Sequence, residues 1–214
     1  MLRSQFLESK NKYQKGKLKN GMKYILNNND YHNSISLIMY IRVGSKSENK
    51  NIIGGAHFLE HMLFKGSKKY NSNIKLNRRT DEICATHVNA GTYKNMTNYY
   101  FKIPHQNISE GLELLDELVF NALLDNKEFI KEKDVVMEEI NKVKDDSIDY
   151  CDDLIEYHLL SKTPLSHFIL GSKKDIKEMK RIDMLKFYNQ HYIYSNATIS
   201  ISGNLPKNIL SLLE

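Results

Sequence analysis

His57, Glu60 and His61 are the residues of this 214-residue chain whose types and spacing point most directly to chemistry. They lie in Gly54-Gly55-Ala56-His57-Phe58-Leu59-Glu60-His61-Met62-Leu63-Phe64-Lys65-Gly66, which contains the pattern H-x-x-E-H. On an α-helix, side chains four positions apart stand one turn above each other, so both imidazoles can converge on one metal ion. Glu60 sits beside that face without being forced to ligate, a placement that suits a general base acting on water. A catalytic zinc takes three protein ligands and keeps one position open for water, whose pKa it lowers toward neutrality. The same five residues also fit a helix with two ordinary hydrogen-bonded histidines, so a third ligand has to be found elsewhere.

A later segment, about Lys127 to Lys144, supplies the candidate. At 100° per residue, Phe129, Val136, Ile140 and Val143 form the apolar stripe of a helix. Glu132 and Glu139 fall inside that stripe, whereas Glu138 projects with Lys131, Asp134, Lys142 and Asp145 toward water. A carboxylate on a buried face is costly unless a cation or strong donors compensate it. Glu139 is therefore the better ligand candidate, and Glu132, two turns earlier on the same face, would orient a ligand histidine. Each also fits a salt-bridged surface glutamate.

The elements that must position these groups read as an α+β mixture. Asn20-Gly21 between Lys12–Lys19 and Met22–Asn27 predicts an opening β-hairpin. The apolar run Ile35 to Val43 reads as a buried strand, and Gly54-Gly55 leads into a short helix over Ala56 to Phe64. A helix near Asn73 to Cys84 precedes two strands, Thr86 to Tyr93 and Met96 to Ile103, the second closed by Pro104. Asn107 with Glu110 offers a capping pair for a helix presenting Ile108, Leu112, Leu115, Val119 and Leu123 on one face. Further helices are expected near Asp152 to Leu160 and Ile182 to His191, then a final strand over Ala197 to Ser202. With no internal repeat, no low-complexity linker and three prolines, a single domain over residues 1–214 is expected.

Composition excludes several classes. Lys and Arg total 31 against 26 Asp and Glu, a formal net charge of +5. The surplus is partly local, in Arg3, Lys10, Lys12, Lys15, Lys17, Lys19 and Lys23, and no basic stripe interleaved with aromatics speaks for nucleic acid. The two cysteines, Cys84 and Cys151, lack the spacing of a thiolate metal site or redox pair and read as reduced core residues. No run approaches the roughly 20 apolar residues a membrane helix requires, and Met1 to Phe6 has no signal-peptide core. The expectation is a soluble, intracellular, cytoplasmic protein, with a short organelle-targeting leader as the alternative.

Taken from the opening hairpin through Val43-Gly44-Ser45, His57 to Gly66 and Asn89-Ala90-Gly91-Thr92, with Thr97 and Tyr99 in register, the sequence resembles the insulinase/pitrilysin family of zinc peptidases. This inverted-motif group includes mitochondrial processing peptidase β-subunits. Glu132 to Glu139 resembles the family's pattern of a Glu seven residues before the ligand Glu, and Phe187 to Gly203 resembles the end of its first domain. The resemblance implies a single mixed, mostly antiparallel sheet packed against helices. It also implies one zinc ion held by His57, His61 and Glu139, with Glu60 as the base of a metalloendopeptidase and Glu132 supporting it. Asn89 and Ala90 would lie on an edge strand beside the zinc, where an extended peptide substrate adds a strand. By its type alone, Asn89 equally suits a turn or bulge.

Three departures accompany the resemblance. Ala85-Thr86 stands where the family has two glycines, and Asn95 stands where it has an acidic residue. The chain corresponds to the first family domain only, so the second, which brings an Arg and a Tyr to the scissile bond, is expected to be absent. A homodimer, a separate second-half subunit, or a non-catalytic peptide-binding role are the ways such a chain could act.

Overall fold

The computed structural model describes residues 13–84 and 86–214. Lys12, the start of the expected hairpin arm, and Ala85, half of the expected glycine replacement, lie outside the described residues, as do Met1 to Phe6, Arg3 and Lys10. The chain opens with β1 (Tyr13–Lys17) and β2 (Lys23–Asn28), joined by a turn in which Leu18 donates to the Met22 carbonyl at 2.8 Å and Gly21 has φ 93°. β3 (Ser34–Ile41) follows, then α1 (Gly55–Leu63) and α2 (Asn73–Ile83). Next come β4 (Asn89–Thr92), β5 (Thr97–Pro104), α3 (Ile108–Phe120), α4 (Asn126–Asp145) and α5 (Ser147–Leu159). α6 (Lys173–Glu178), α7 (Arg181–His191), β6 (Ala197–Gly203) and α8 (Ile209–Leu213) complete the described chain.

All the strands belong to one six-stranded sheet in the order β1-β2-β6-β3-β5-β4. β2 pairs with β6 in parallel and every other pair is antiparallel, so the sheet is mixed and mostly antiparallel, as the family resemblance implied. Period-two alternation divides its faces. Ile35, Leu37, Met39 and Ile41 of β3 are buried beside Tyr99, Phe101 and Ile103 of β5 and Ile199 and Ile201 of β6. The helices pack on this face, and β4 is left as a short outermost strand.

Several local expectations need correction. Asn107 makes no cap hydrogen bond; a 3-10 turn (His105–Asn107) feeds directly into α3, and the Asn107 amide donates instead to the Ile83 carbonyl at 3.0 Å. The buried face of α3 is rotated toward Gly111, Leu114 and Leu118; Leu112 is half-buried, and Leu123 lies beyond the helix and is exposed. α6 was not anticipated, although Ser172 and Asp175 form a complete capping box at its start, and neither was α8. Both cysteines are free, but Cys151 is exposed because α5 has no buried residue; Cys84 is half-buried.

The junction into α1 is tightly constrained. Gly54 has φ 80°, a left-handed conformation, and a Cβ there would stand 2.4 Å from the Leu170 carbonyl oxygen. Gly54→Ala is therefore expected to lower unfolding free energy by about 1–2 kcal/mol from backbone strain alone, and further from the clash, as read from urea denaturation.

Candidate metal centre

α1 begins where the glycine junction allows the chain to turn against Leu170 and Gly171, and it buries Ala56, Phe58, Leu59, Met62 and Leu63. That register places His57 and His61 on one side, with ring centroids 4.6 Å apart. α4 is opened by Asp125, whose side chain accepts from the Lys127 and Glu128 amides, and it packs through Phe129, Val136 and Ile140. Phe129 meets Phe58 of α1 with centroids 4.9 Å apart, which brings the two helices together. Of the stripe read from the sequence, Phe129, Glu132, Val136 and Ile140 are buried, whereas Glu139 and Val143 are half-buried; Glu138 is exposed, as expected.

This packing carries Glu139 to both histidines. Its Oε1 lies 3.6 Å from His57 Nε2 and its Oε2 3.5 Å from His61 Nε2, and donor atoms of the three residues lie within 4.8 Å of one another. These separations are too long for good hydrogen bonds. They match the edge of about 3.4 Å that a tetrahedron of ligands at zinc distances would have. Glu139 Oε2 and His57 Nδ1 are buried with no hydrogen-bond partner, so the cluster is unsatisfied by protein alone. Two neutral imidazoles and a carboxylate are a donor set that suits zinc, and the residues present fit such an ion.

The surrounding groups prepare the set. Glu132, 3% exposed, accepts from His61 Nδ1 at 2.8 Å and pairs with Lys65 Nζ at 2.6 Å. A proton held on Nδ1 leaves the Nε2 lone pair of His61 free to face Glu139. Burial works to raise the Glu132 pKa, but the His61 and Lys65 contacts outweigh it and leave it lowered. Burial likewise works to lower His61, while the Glu132 bond and the Glu139 charge leave it raised. His57, buried and beside His61, is pushed down to about 3, which keeps it in the neutral form that ligates.

Glu60 projects to the neighbouring side, where its Oε2 accepts from the Thr92 hydroxyl at 2.5 Å. Burial raises its pKa against the pull of that hydrogen bond, moving it toward the range useful for proton transfer. Thr92 and Ala90 pair with the buried Thr97 and Tyr99, so they share the sheet face that meets α1. Tyr93 donates to the Met96 carbonyl at 2.8 Å across the hairpin. Inward and outward residues alternate in an antiparallel ladder, so the backbone groups of Ala90 and Thr92 face the edge of β4 that is unpaired by any strand among the described residues.

An open groove of about 490 Å³ joins these parts; its lining includes His57, Glu60, Ala90, Thr92, Glu139 and Leu170. Asn89 does not line it. Its side chain pairs across from exposed Tyr100 on the other face, and its Oδ1 accepts from the Ala90 amide at 2.8 Å. Lys65 and Thr92 have contacts in the site that sequence reasoning did not assign. Lys65 lies four residues after His61, and Thr92 two after Ala90, so the same periodicities could have placed both. Also unanticipated are Asp149, Asp152 and Asp153, which line the groove from α5. Glu132→Gln is expected to weaken zinc binding by about 10–100-fold with the fold retained, measured by competition with a chromogenic chelator.

Comparison with known proteins identifies the family. The family model described as insulinase (peptidase family M16) matches residues 23–173. A Rickettsia bellii protein named a zinc protease is 34% identical over 92% of the chain, and the Bacillus subtilis zinc protease YmxG is 30% identical over 91%. The rat mitochondrial-processing peptidase subunit beta is 30% identical over 90%. This chain spans 47%, 47% and 39% of those three proteins, about half their length or less. Among solved structures, the Escherichia coli periplasmic protease PqqL superposes with a TM-score of 0.85 at 26% identity, covering 94% of this chain and 23% of that one. A Helicobacter pylori protease gives 0.84 at 25%, covering 94% and 49%. No helix among the described residues is long and apolar enough to cross a membrane, and the relatives' names include both mitochondrial and periplasmic proteins. By the extent of the family match and the identity to its zinc-protease relatives, the chain belongs to the insulinase family of peptidases.

Proposed function

We propose that this chain is the zinc-dependent catalytic half of a metalloendopeptidase that cuts peptide bonds in extended peptides. The observation that carries the reading is the meeting of His57, His61 and Glu139 beside Glu60 and the free edge of β4. His57, His61 and Glu139 would hold one zinc ion. When bound, zinc supplies Lewis acidity, which polarises a scissile carbonyl and eases the deprotonation of water.

The protein groups divide the remaining work. A peptide entering the groove adds a strand to β4, pairing with the outward amide and carbonyl groups of Ala90 and Thr92. The Ala90 amide is occupied by Asn89 Oδ1, so the Asn89 side chain yields that donor when the peptide pairs. Glu60 takes a proton from the attacking water on its carboxylate and later delivers it to the leaving amine, with the Thr92 hydroxyl holding its side chain in line. Glu132, braced by Lys65, keeps His61 in one tautomer and orientation.

The groove wall on α5 carries Asp149, Asp152 and Asp153. Burial, then repulsion from Glu156, Asp149 and Asp152, raises the Asp153 pKa against the pull of Lys94. A cationic side chain in the peptide relieves that repulsion, which favours substrates with Lys or Arg near the cut. We propose that a second half covers the open groove, whether in the same protein, a second copy or a separate subunit, because the relatives are about twice as long as this chain.

Glu60→Gln is expected to keep zinc at the wild-type stoichiometry and to lose about 10²–10⁴-fold in peptide hydrolysis. Cleavage by this variant at the wild-type rate would remove Glu60 from the chemistry. Zinc bound without any chelator-sensitive turnover, alone or with a second-half partner, would favour instead a peptide-binding half. Substituting Asp149 and Asp153 together by Asn is expected to raise KM for peptides carrying Arg beside the cut more than for their Gln counterparts.

A further inference from the structure

Glu48 is a buried carboxylate, 8% exposed, with no part in the roles assigned so far. It stands just after the 3-10 turn Ser45–Ser47, outside every helix and strand. Its Oε2 accepts from the Gly54 amide at 2.8 Å and its Oε1 from the Ala56 amide at 2.7 Å. The first amides of a helix have no partner within it, and a Ser, Thr, Asp or Asn at the N-cap normally accepts from one of them. In α1 the N-cap is Gly54, which has no side chain to offer. Glu48 supplies the missing acceptor from outside the helix, while burial, against the pull of these two amide bonds, pushes its pKa up to about 8.

The same short segment reaches the other wall of the groove. Ser45 donates to the Tyr93 carbonyl at 3.2 Å and Lys46 to the Lys94 carbonyl at 2.9 Å, in the turn between β4 and β5. A Cβ on Gly44 would stand 2.0 Å from the Tyr93 carbonyl oxygen, so the segment lies directly against that turn. A hydrogen-bonded path thus runs from the β4 hairpin through Ser45 and Lys46 to Glu48, and from Glu48 to the residue before His57. The two histidines differ in their support. His61 is oriented by Glu132, whereas His57 Nδ1 is buried with no partner, so the placement of the His57 ring depends on packing and on the backbone that carries it.

We propose that Glu48 is a positioning residue of the metal centre: by gripping Gly54 and Ala56 it fixes where His57 stands relative to His61, Glu139 and the edge of β4. This rests on the peptidase reading for its catalytic consequence, but not for its consequence for metal binding. Glu48→Gln keeps the size of the side chain while leaving one acceptor and turning an NH2 group against a backbone amide.

The test uses the full chain loaded with cobalt(II) in place of zinc, read by its visible absorption spectrum and by chelator competition. It is paired with kcat and KM for a fluorogenic peptide at saturating zinc. Ile209→Val, in α8, serves as a control that loosens the core elsewhere. Glu48→Gln is expected to bind cobalt at least tenfold more weakly with an altered spectrum, and to lose at least tenfold in kcat with KM little changed. Ile209→Val should leave the spectrum and the affinity as in the wild type. If Glu48→Gln does not yield folded protein by circular dichroism, Glu48→Asp, too short to hold both amides, is measured in the same way with the same expectations. A variant at Glu48 that lowers thermal stability yet shows the wild-type cobalt spectrum and affinity overturns the proposal. A wild-type chain that binds cobalt but cleaves nothing, either by itself or with a second-half partner, overturns only the peptidase reading, and the spectrum and affinity still decide the role of Glu48.

Discussion

Everything at the centre of this molecule depends on α1 lying against α4 in one rotational setting. Phe58 on Phe129 supplies the apolar contact, and the faces beside it carry imidazoles on one helix and carboxylates on the other. Turning either helix by one residue, about 100°, would exchange these groups for residues such as Phe58, Met62 or Glu138, and the convergence would vanish. The apolar stripe of α4 is therefore also the device that aims Glu132 and Glu139. Core packing and site geometry are here a single constraint, and a core substitution at Val136 or Phe129 acts on the placement of Glu132 and Glu139 as well as on stability.

Charge is arranged in layers around that contact. Glu132 is buried more completely than Glu139, yet it is the better satisfied of the two, with an imidazole on one oxygen and an ammonium on the other. Glu139 lacks comparable donors and has one oxygen without a hydrogen bond. In the function proposed above, that difference assigns Glu132 to support and Glu139 to coordination, because a side chain saturated by hydrogen bonds has little left to offer a cation. Glu60 belongs to neither group, since its strongest partner is the neutral hydroxyl of Thr92.

Much of this was legible in the sequence, for reasons of periodicity. The H-x-x-E-H spacing and the stripe of α4 each repeat with the helical period, so the facing of His57, His61, Glu132 and Glu139 could be derived without knowing which elements touch. The opening hairpin, β3 and β6 followed from turn residues and apolar runs in the same way. What could not be read depended on contacts between distant segments. Glu48 has no periodic signature, because its function is to reach amides of a helix it does not belong to. The acidic wall of α5 required knowing that this helix lies across the groove from β4. Asn107 looked like a cap because residue type alone does not reveal that it closes a 3-10 turn and satisfies the chain differently. The opposite case is α6, whose Ser172 and Asp175 box was visible but spanned too short an apolar pattern to be noticed.

The brevity of β4 has a consequence of its own. An unpaired sheet border invites copies of the same chain to stack on it, and short border strands are one way proteins prevent this. Four residues present only two outward positions, Ala90 and Thr92, one of which is already occupied by a neighbouring side chain. A visiting strand can gain both sets of backbone bonds in one alignment only, because sliding by two residues forfeits half of them. Under the function proposed above, the feature that discourages polymerisation also indexes the visitor, so that one peptide bond, rather than any of several, comes to rest opposite Glu60.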